Sequence, residues 1–163
     1  MKTRLFFILL GAGLVLVLLF GGIACRPSRT EHQRALLERY GAYWNTGQTD
    51  GIEAVLHPDY ELRYAPDFKP SVKGIEAFRK EMARMRTLSF TVAMDEAVYG
   101  PDTITLRWTC SAAFPDPAGG AAKTARAKGL SLIHLKDGKI ADEWIAYDRQ
   151  DWMQQLGFEL KPK

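Results

Sequence analysis

The amino-acid sequence predicts an α+β fold, helices first and sheet after, on three observations. Before residue 88, apolar residues recur at intervals of three and four, the period of amphipathic helices. From Leu88 the period falls to two, the mark of half-buried strands. Asp137-Gly138 then separates two strand-like runs as a two-residue hairpin turn. Helices followed by an antiparallel meander pack on one face of a curved sheet.

Each element has its own signal. Thr30-x-x-Gln33 has capping-box spacing, and Leu36, Leu37, Tyr40, Tyr43 and Trp44 follow on one helical face until Asn45-Thr46-Gly47 stops it. Asp50-x-x-Glu53 predicts a second short helix burying Ile52, Val55 and Leu56, ended by His57-Pro58-Asp59. Tyr60 to Tyr64 reads as a short strand, and a loop with Pro66 and Pro70 leads to a third helix carrying Ile75, Phe78, Met82 and Met85. Leu88, Phe90, Val92 and Met94 form the inner row of the next strand. After Gly100-Pro101-Asp102, Ile104, Leu106, Trp108 and Cys110 form the inner row of another. Pro115 to Ala122 is too rich in Pro and Gly for regular structure. The strands Ala125 to Lys136 and Ile140 to Tyr147 complete the sheet, and Asp148 to Leu156 is a closing helical turn.

Composition excludes several classes. The 163 residues are 47% hydrophobic and 25% charged, which is globular rather than disordered. Two cysteines make no disulfide framework, and His32, His57 and His134 lack zinc spacing, so no metal and no cofactor is expected. Phosphate-loop, dinucleotide and nucleophile-elbow motifs are absent. With Lys2 and Arg4 set aside, 20 basic side chains face 19 acidic ones, which leaves no electrostatic footprint for nucleic acid.

The N-terminus reads as an export signal or an anchor. Basic Lys2 and Arg4 precede 20 uncharged residues, Leu5 to Ala24, long enough as a helix (about 30 Å) to cross a bilayer. Gly22-Ile-Ala-Cys25 resembles a bacterial lipobox, whose cysteine is acylated and becomes the mature N-terminus. Cleavage with lipidation at Cys25, an uncleaved helix and plain secretion all remain open. Each puts the domain outside the cytoplasm. The organisation expected is a signal or anchor over 1–24, a tether over 25–30, one domain over 31–158 and a tail over 159–163.

Tyr43-Trp-Asn-Thr-Gly47, Pro58-Asp-Tyr60, Gly74-Ile-Glu-Ala-Phe78 and Gly129-Leu-Ser-Leu-Ile-His-Leu-Lys-Asp-Gly-Lys-Ile140 stand in that order. Glu143-Trp144, Asp148 and Gln155-Leu-Gly157 follow. Together they resemble the SnoaL-like polyketide cyclase branch of the NTF2-like superfamily over about residues 31–158. The resemblance implies a cone-shaped curved antiparallel sheet with the helices on its concave face, a deep pocket between them, and homodimers through the outer sheet face.

Strand alternation puts Ile140, Asp142, Trp144, Ala146 and Asp148 on one face and Glu143 and Tyr147 on the other. By its place in the resembled motif Asp148 is the candidate general acid/base, and a carboxyl in an apolar pocket suits proton transfer beside a carbonyl. The same residue also suits a helix cap, with Asp151 three positions on. Trp144, Trp108, Tyr40, Trp44, Phe78 and Met82 are the candidate pocket walls, although aromatics at these periods equally serve an ordinary core. Arg107 and His134 fall on the outer face, and Cys110 lies on the inner face without a base to activate it. Leu130, Leu132 and Ile145 are assigned to an apolar outer face. Arg63 stands near where the resembled cyclases often carry a histidine, and Thr109-Cys-Ser-Ala-Ala-Phe114 replaces their Thr-His segment, so no histidine remains to partner Asp148. Two functions follow: a membrane-tethered domain binding an apolar small molecule, or a cofactor-independent cyclase or isomerase using Asp148.

Overall fold

The computed structural model describes residues 28–116 and 119–158. The expected signal segment, Cys25 and the tail 159–163 lie outside the described residues. Helix α1 spans Arg29–Thr46, and its cap is Ser28 rather than Thr30. The Ser28 hydroxyl accepts the Glu31 N–H at 3.2 Å, while the Glu31 carboxylate accepts the Ser28 N–H at 2.6 Å. Gln33 is thereby released from capping. It is buried and donates to the carbonyls of Gly100 and Pro101 at 2.9 and 3.2 Å, pinning the helix to a strand turn. Gly47 ends α1 in the left-handed conformation (φ +69°), donating its N–H to the Tyr43 carbonyl.

The second helix is only a 3₁₀ turn, Ile52–Ala54, which buries Ile52 as expected. Strand β1 (Leu56–Tyr64) runs through His57-Pro58-Asp59 instead of starting after it. Its pairing with the last strand is irregular between Leu56 and Glu61, so the proline falls where a missing donor costs little. Strand β2 (Pro70–Lys73) occupies part of the expected loop; it is a four-residue edge strand that opens on a proline. Helix α2 (Gly74–Thr87) buries Phe78 and Met82. Strand β3 is Thr91–Tyr99, starting later than Leu88 because Ser89 takes a positive φ of 46° and turns the chain. Strands β4 (Thr103–Phe114), β5 (Lys123–Lys136) and β6 (Lys139–Tyr147) and helix α3 (Arg149–Gln155) follow. Asp137 and Gly138 both have positive φ, as a two-residue hairpin turn requires.

The six strands form one curved, unclosed sheet in the order β2-β1-β6-β5-β4-β3. Every neighbouring pair is antiparallel except β1 and β6, so the sheet is mixed rather than the pure antiparallel meander expected. Irregular pairings in β1, β3 and between β5 and β6 bend it around the helices.

One of these irregularities decides the site. Leu135 pairs with Ile140 and His134 with Asp142, so Ala141 is an extra residue on β6. The extra residue reverses the parity of everything after it. Ile140 points inward, and so then do Glu143, Ile145 and Tyr147; Trp144, Ala146 and Asp148 do not. The alternation expected for this strand is corrected on that ground, and Ile145 moves from the outer face to the core.

The two ends of the sheet differ. At the β3–β4 and β5–β6 turns, Ile52, Val55, Leu56, Ile104, Ile133 and Ile140 are completely buried and close the cone. At the other end the sheet opens. On β5, Gly129 lets the Trp108 ring lie flat across the strand: a Cβ there would collide with the indole and come within 2.8 Å of the Ala146 carbonyl oxygen. Gly129→Ala is expected to cost about 1–3 kcal/mol through overpacking, read as a lower denaturant midpoint with the m-value unchanged. A midpoint equal to wild type would show that the indole moves aside freely.

Candidate functional site

Between α1, α2 and the concave sheet lies a cavity of about 610 Å³, within the usual size of small-molecule sites. Helix α1 contributes Tyr40 and Trp44 to its wall, and β4 contributes Leu106, Trp108 and Cys110. Glu143, Ile145 and Tyr147 come from β6, and Trp152 from α3. The rim is polar: exposed Lys69 pairs with Asp67 at 3.2 Å, Arg84 pairs with Glu81 at 2.6 Å, and Arg149 stands beside them.

The inner wall carries one carboxyl group. Glu143 is only 4% exposed, flanked in the sheet by Leu62 and Ile133, both fully buried. Burying a carboxylate in such surroundings is unfavourable unless donors meet it. Tyr40 donates its hydroxyl to Glu143 Oε2 at 2.5 Å. Its proton being spent there, the 2.6 Å contact between the Tyr40 and Tyr60 hydroxyls is donated by Tyr60. On the other side the Trp108 indole N–H donates to Ser131 Oγ at 2.9 Å, and the Ser131 hydroxyl stands beside Glu143, where it favours the ionised form. Two chains of donors thus converge on one acid. Desolvation still outweighs them and raises the Glu143 pKa above the usual carboxyl range. Burial likewise holds Tyr40 and Tyr60 as phenols.

The structure distributes the expected site residues unevenly. Tyr40, Trp44 and Trp108 line the cavity. Phe78 and Met82 are completely buried in the layer behind it, with Phe78 stacked on Tyr40 at 5.7 Å and edge-on to Trp44 and Tyr60. They brace the wall without reaching the cavity. Trp144 is 38% exposed on the convex face, stacked on Phe68 at 5.3 Å with the Arg63 guanidinium over its ring. Asp148 is exposed, and its carboxylate accepts the Asp151 N–H at 2.9 Å as the cap of α3. The bulge at Ala141 accounts for both displacements. Arg107 and His134 do lie on the outer face, His134 against Asp142 at 2.6 Å. Cys110 lines the cavity, but burial pushes its thiol up to about 11, which keeps it protonated at neutral pH.

Glu143 and Tyr147 are the residues that alternation placed on the wrong face. The warning sign was present. Trp144-Ile145-Ala146-Tyr147 is apolar on both parities, so period two could not orient the strand.

A model of the SnoaL-like polyketide cyclases matches residues 34–156. The chain belongs to the SnoaL-like family. Among solved structures, TsrD from Streptomyces laurentii is similar at 25% identity, with a TM-score of 0.64 over 77% of this chain and 95% of that one. A candidate polyketide cyclase from Bacillus cereus ATCC 10987 is 22% identical, with a TM-score of 0.64 over 80% of this chain and 85% of its own. The epoxide hydrolase/cyclase-like enzyme SalBIII of salinomycin pyran-ring formation is 16% identical, with a TM-score of 0.62 over 76% and 95%. No curated protein matches. The family supports a small-molecule-binding or cyclase-type domain, and these structures share its NTF2-like fold.

A raised carboxyl pKa has a definite consequence for stability. The unfolded chain ionises near 4.5 and the folded chain only above it, so Glu143 lowers stability as pH rises from about 4.5 through its folded pKa. Glu143→Gln keeps the shape without the charge. It is expected to be more stable than wild type at pH 7, with the difference narrowing below about pH 4.5. Parallel denaturation curves at both pH values check this; a variant less stable at pH 7 than at pH 4, relative to wild type, would contradict it.

Proposed function

We propose that this domain binds an apolar small molecule carrying a hydrogen-bond-accepting oxygen, and that Glu143 recognises that oxygen as a neutral acid. One observation carries the proposal: a carboxyl buried on an otherwise largely apolar cavity wall, held by the Tyr40 hydroxyl at Oε2, has a raised pKa. Its own proton then has the cavity before it, where a carbonyl oxygen can take it. Aromatic walls favour a flat ligand, whose faces and edges meet Trp44, Trp108, Tyr147 and Trp152.

The raised pKa also favours a second function, cofactor-independent proton transfer of the cyclase or isomerase kind. A carboxyl poised nearer neutrality gives up and retrieves a proton beside a carbonyl more readily than an exposed one. In that case Glu143 takes the role expected of Asp148, with Tyr40 as its positioning residue.

The domain's setting belongs to the same proposal. The basic start, the uncharged run Leu5 to Ala24 and Gly22-Ile-Ala-Cys25 support a chain held at a membrane, outside the cytoplasm, through lipid on Cys25 or an uncleaved segment. The convex face carries exposed Leu130, Leu132, Val98 and Trp144 and supports a homodimer.

A matched pair of probes tests the site. 2-Acetylnaphthalene and 2-ethylnaphthalene share a shape and differ in one acceptor oxygen. Tryptophan-fluorescence titration is expected to show the ketone binding about five- to tenfold tighter, the worth of one buried hydrogen bond. Glu143→Leu is expected to bring the two towards parity. Equal affinities in wild type would sink the proposal. Deuterium exchange of the acetyl protons separates the two functions: exchange accelerated by wild type and lost in Glu143→Gln marks catalysis, and binding without exchange marks a receptor.

A further inference from the structure

The geometry points to the closed end of the cone as the surface that meets the bilayer, with the cavity mouth held away from it and open to water. This rests on the proposed anchoring through residues 5–25. Ser28 already caps α1, so only Arg26 and Pro27 separate Cys25 from the folded domain. Three Cα steps of at most about 3.6 Å keep the start of α1 within about 11 Å of Cys25. A domain on so short a lead keeps that end at the membrane.

What sits at that end is fixed by hydrogen bonds. Gln33, in the first turns of α1, donates to Gly100 and Pro101 in the β3–β4 turn. His32 Nε2 meets the Gly138 carbonyl in the β5–β6 turn at 3.0 Å. Both hairpin turns therefore share the anchored end. Beneath them Leu56 pairs with Ile140 and Ile104 with Ile133, all fully buried, so the cone is plugged there.

The mouth is at the opposite end of the same strands. β4 leaves the anchored end at Thr103 and reaches the rim at Phe114, eleven steps of about 3.3 Å, or roughly 35 Å along the strand. The exposed rim cations Lys69, Arg84 and Arg149 and the aromatic Trp152 surround the opening. A ligand therefore enters from the aqueous side and does not pass directly out of the bilayer through the base. The outward face of α1, with Arg34, Glu38 and Arg39 exposed, gives the domain no apolar flank on which to lie down. The convex sheet face does have one, and the experiment includes it.

The full chain, carrying Cys110→Ser, is reconstituted in phosphatidylethanolamine–phosphatidylglycerol vesicles with a nitroxide on the headgroup. Single cysteines at Lys136→Cys (closed end), Gln154→Cys (mouth) and Lys128→Cys (convex face) carry a bimane fluorophore. A parent without an added cysteine subtracts any labelling at Cys25. Quenching at Lys136→Cys is expected to exceed that at the other two sites several-fold. Quenching of Gln154→Cys or Lys128→Cys equal to or above that of Lys136→Cys overturns the orientation while the anchor stands. A chain that stays in the supernatant with no site quenched overturns the anchor and the orientation with it.

Discussion

The organising constraint is a carboxylic acid enclosed among apolar strands. Glu143 lies between Leu62 and Ile133, where an ionised carboxylate is poorly solvated, and the fold surrounds it with donors rather than water. Each donor has its own structural reason. Tyr40 reaches it because α1 lies across the concave face, braced by Phe78 and Trp44. Ser131 is oriented by the Trp108 indole, which lies over β5 only because residue 129 has no side chain. Tyr60 completes the chain from β1. The acid thus ties together α1, β1, β4, β5 and β6, and the same contacts shape the cavity wall.

A second asymmetry runs along the strands. Large aliphatic residues plug the end where the hairpin turns lie, whereas aromatic and charged residues frame the other end. Such a division closes the pocket at one end and opens it at the other, and burial of Glu143 in the wall between them is what raises its pKa. Access and acidity are two results of one arrangement.

Much of the fold was legible in the residues. The Asp137-Gly138 turn and the Phe78–Met82 stripe sit where the pattern put them, because each depends on local geometry alone, whereas the strand expected from Leu88 begins at Thr91. The cap of α1 was misplaced since Ser28 and Thr30 both offer a hydroxyl, and only the distant partners of Gln33 decide between them. The pocket walls Tyr40, Trp44 and Trp108 were legible for the same periodic reason. Glu143 was not. A single bulged residue, Ala141, reverses the face of the last strand, and its signal lies in pairing with β5 rather than in composition. A buried acid in that position also depends on Tyr40, 103 residues away in sequence.

The account stands on Glu143 being a neutral acid in the folded protein at pH values where exposed glutamates are ionised. Carbon-detected NMR of side-chain carboxyls, with Glu143→Gln assigning the resonance, measures this directly. The arrangement predicts a Glu143 signal that titrates above pH 4.5 and keeps its protonated shift after the exposed glutamates have begun to move. A Glu143 carboxyl titrating together with those surface groups would contradict it.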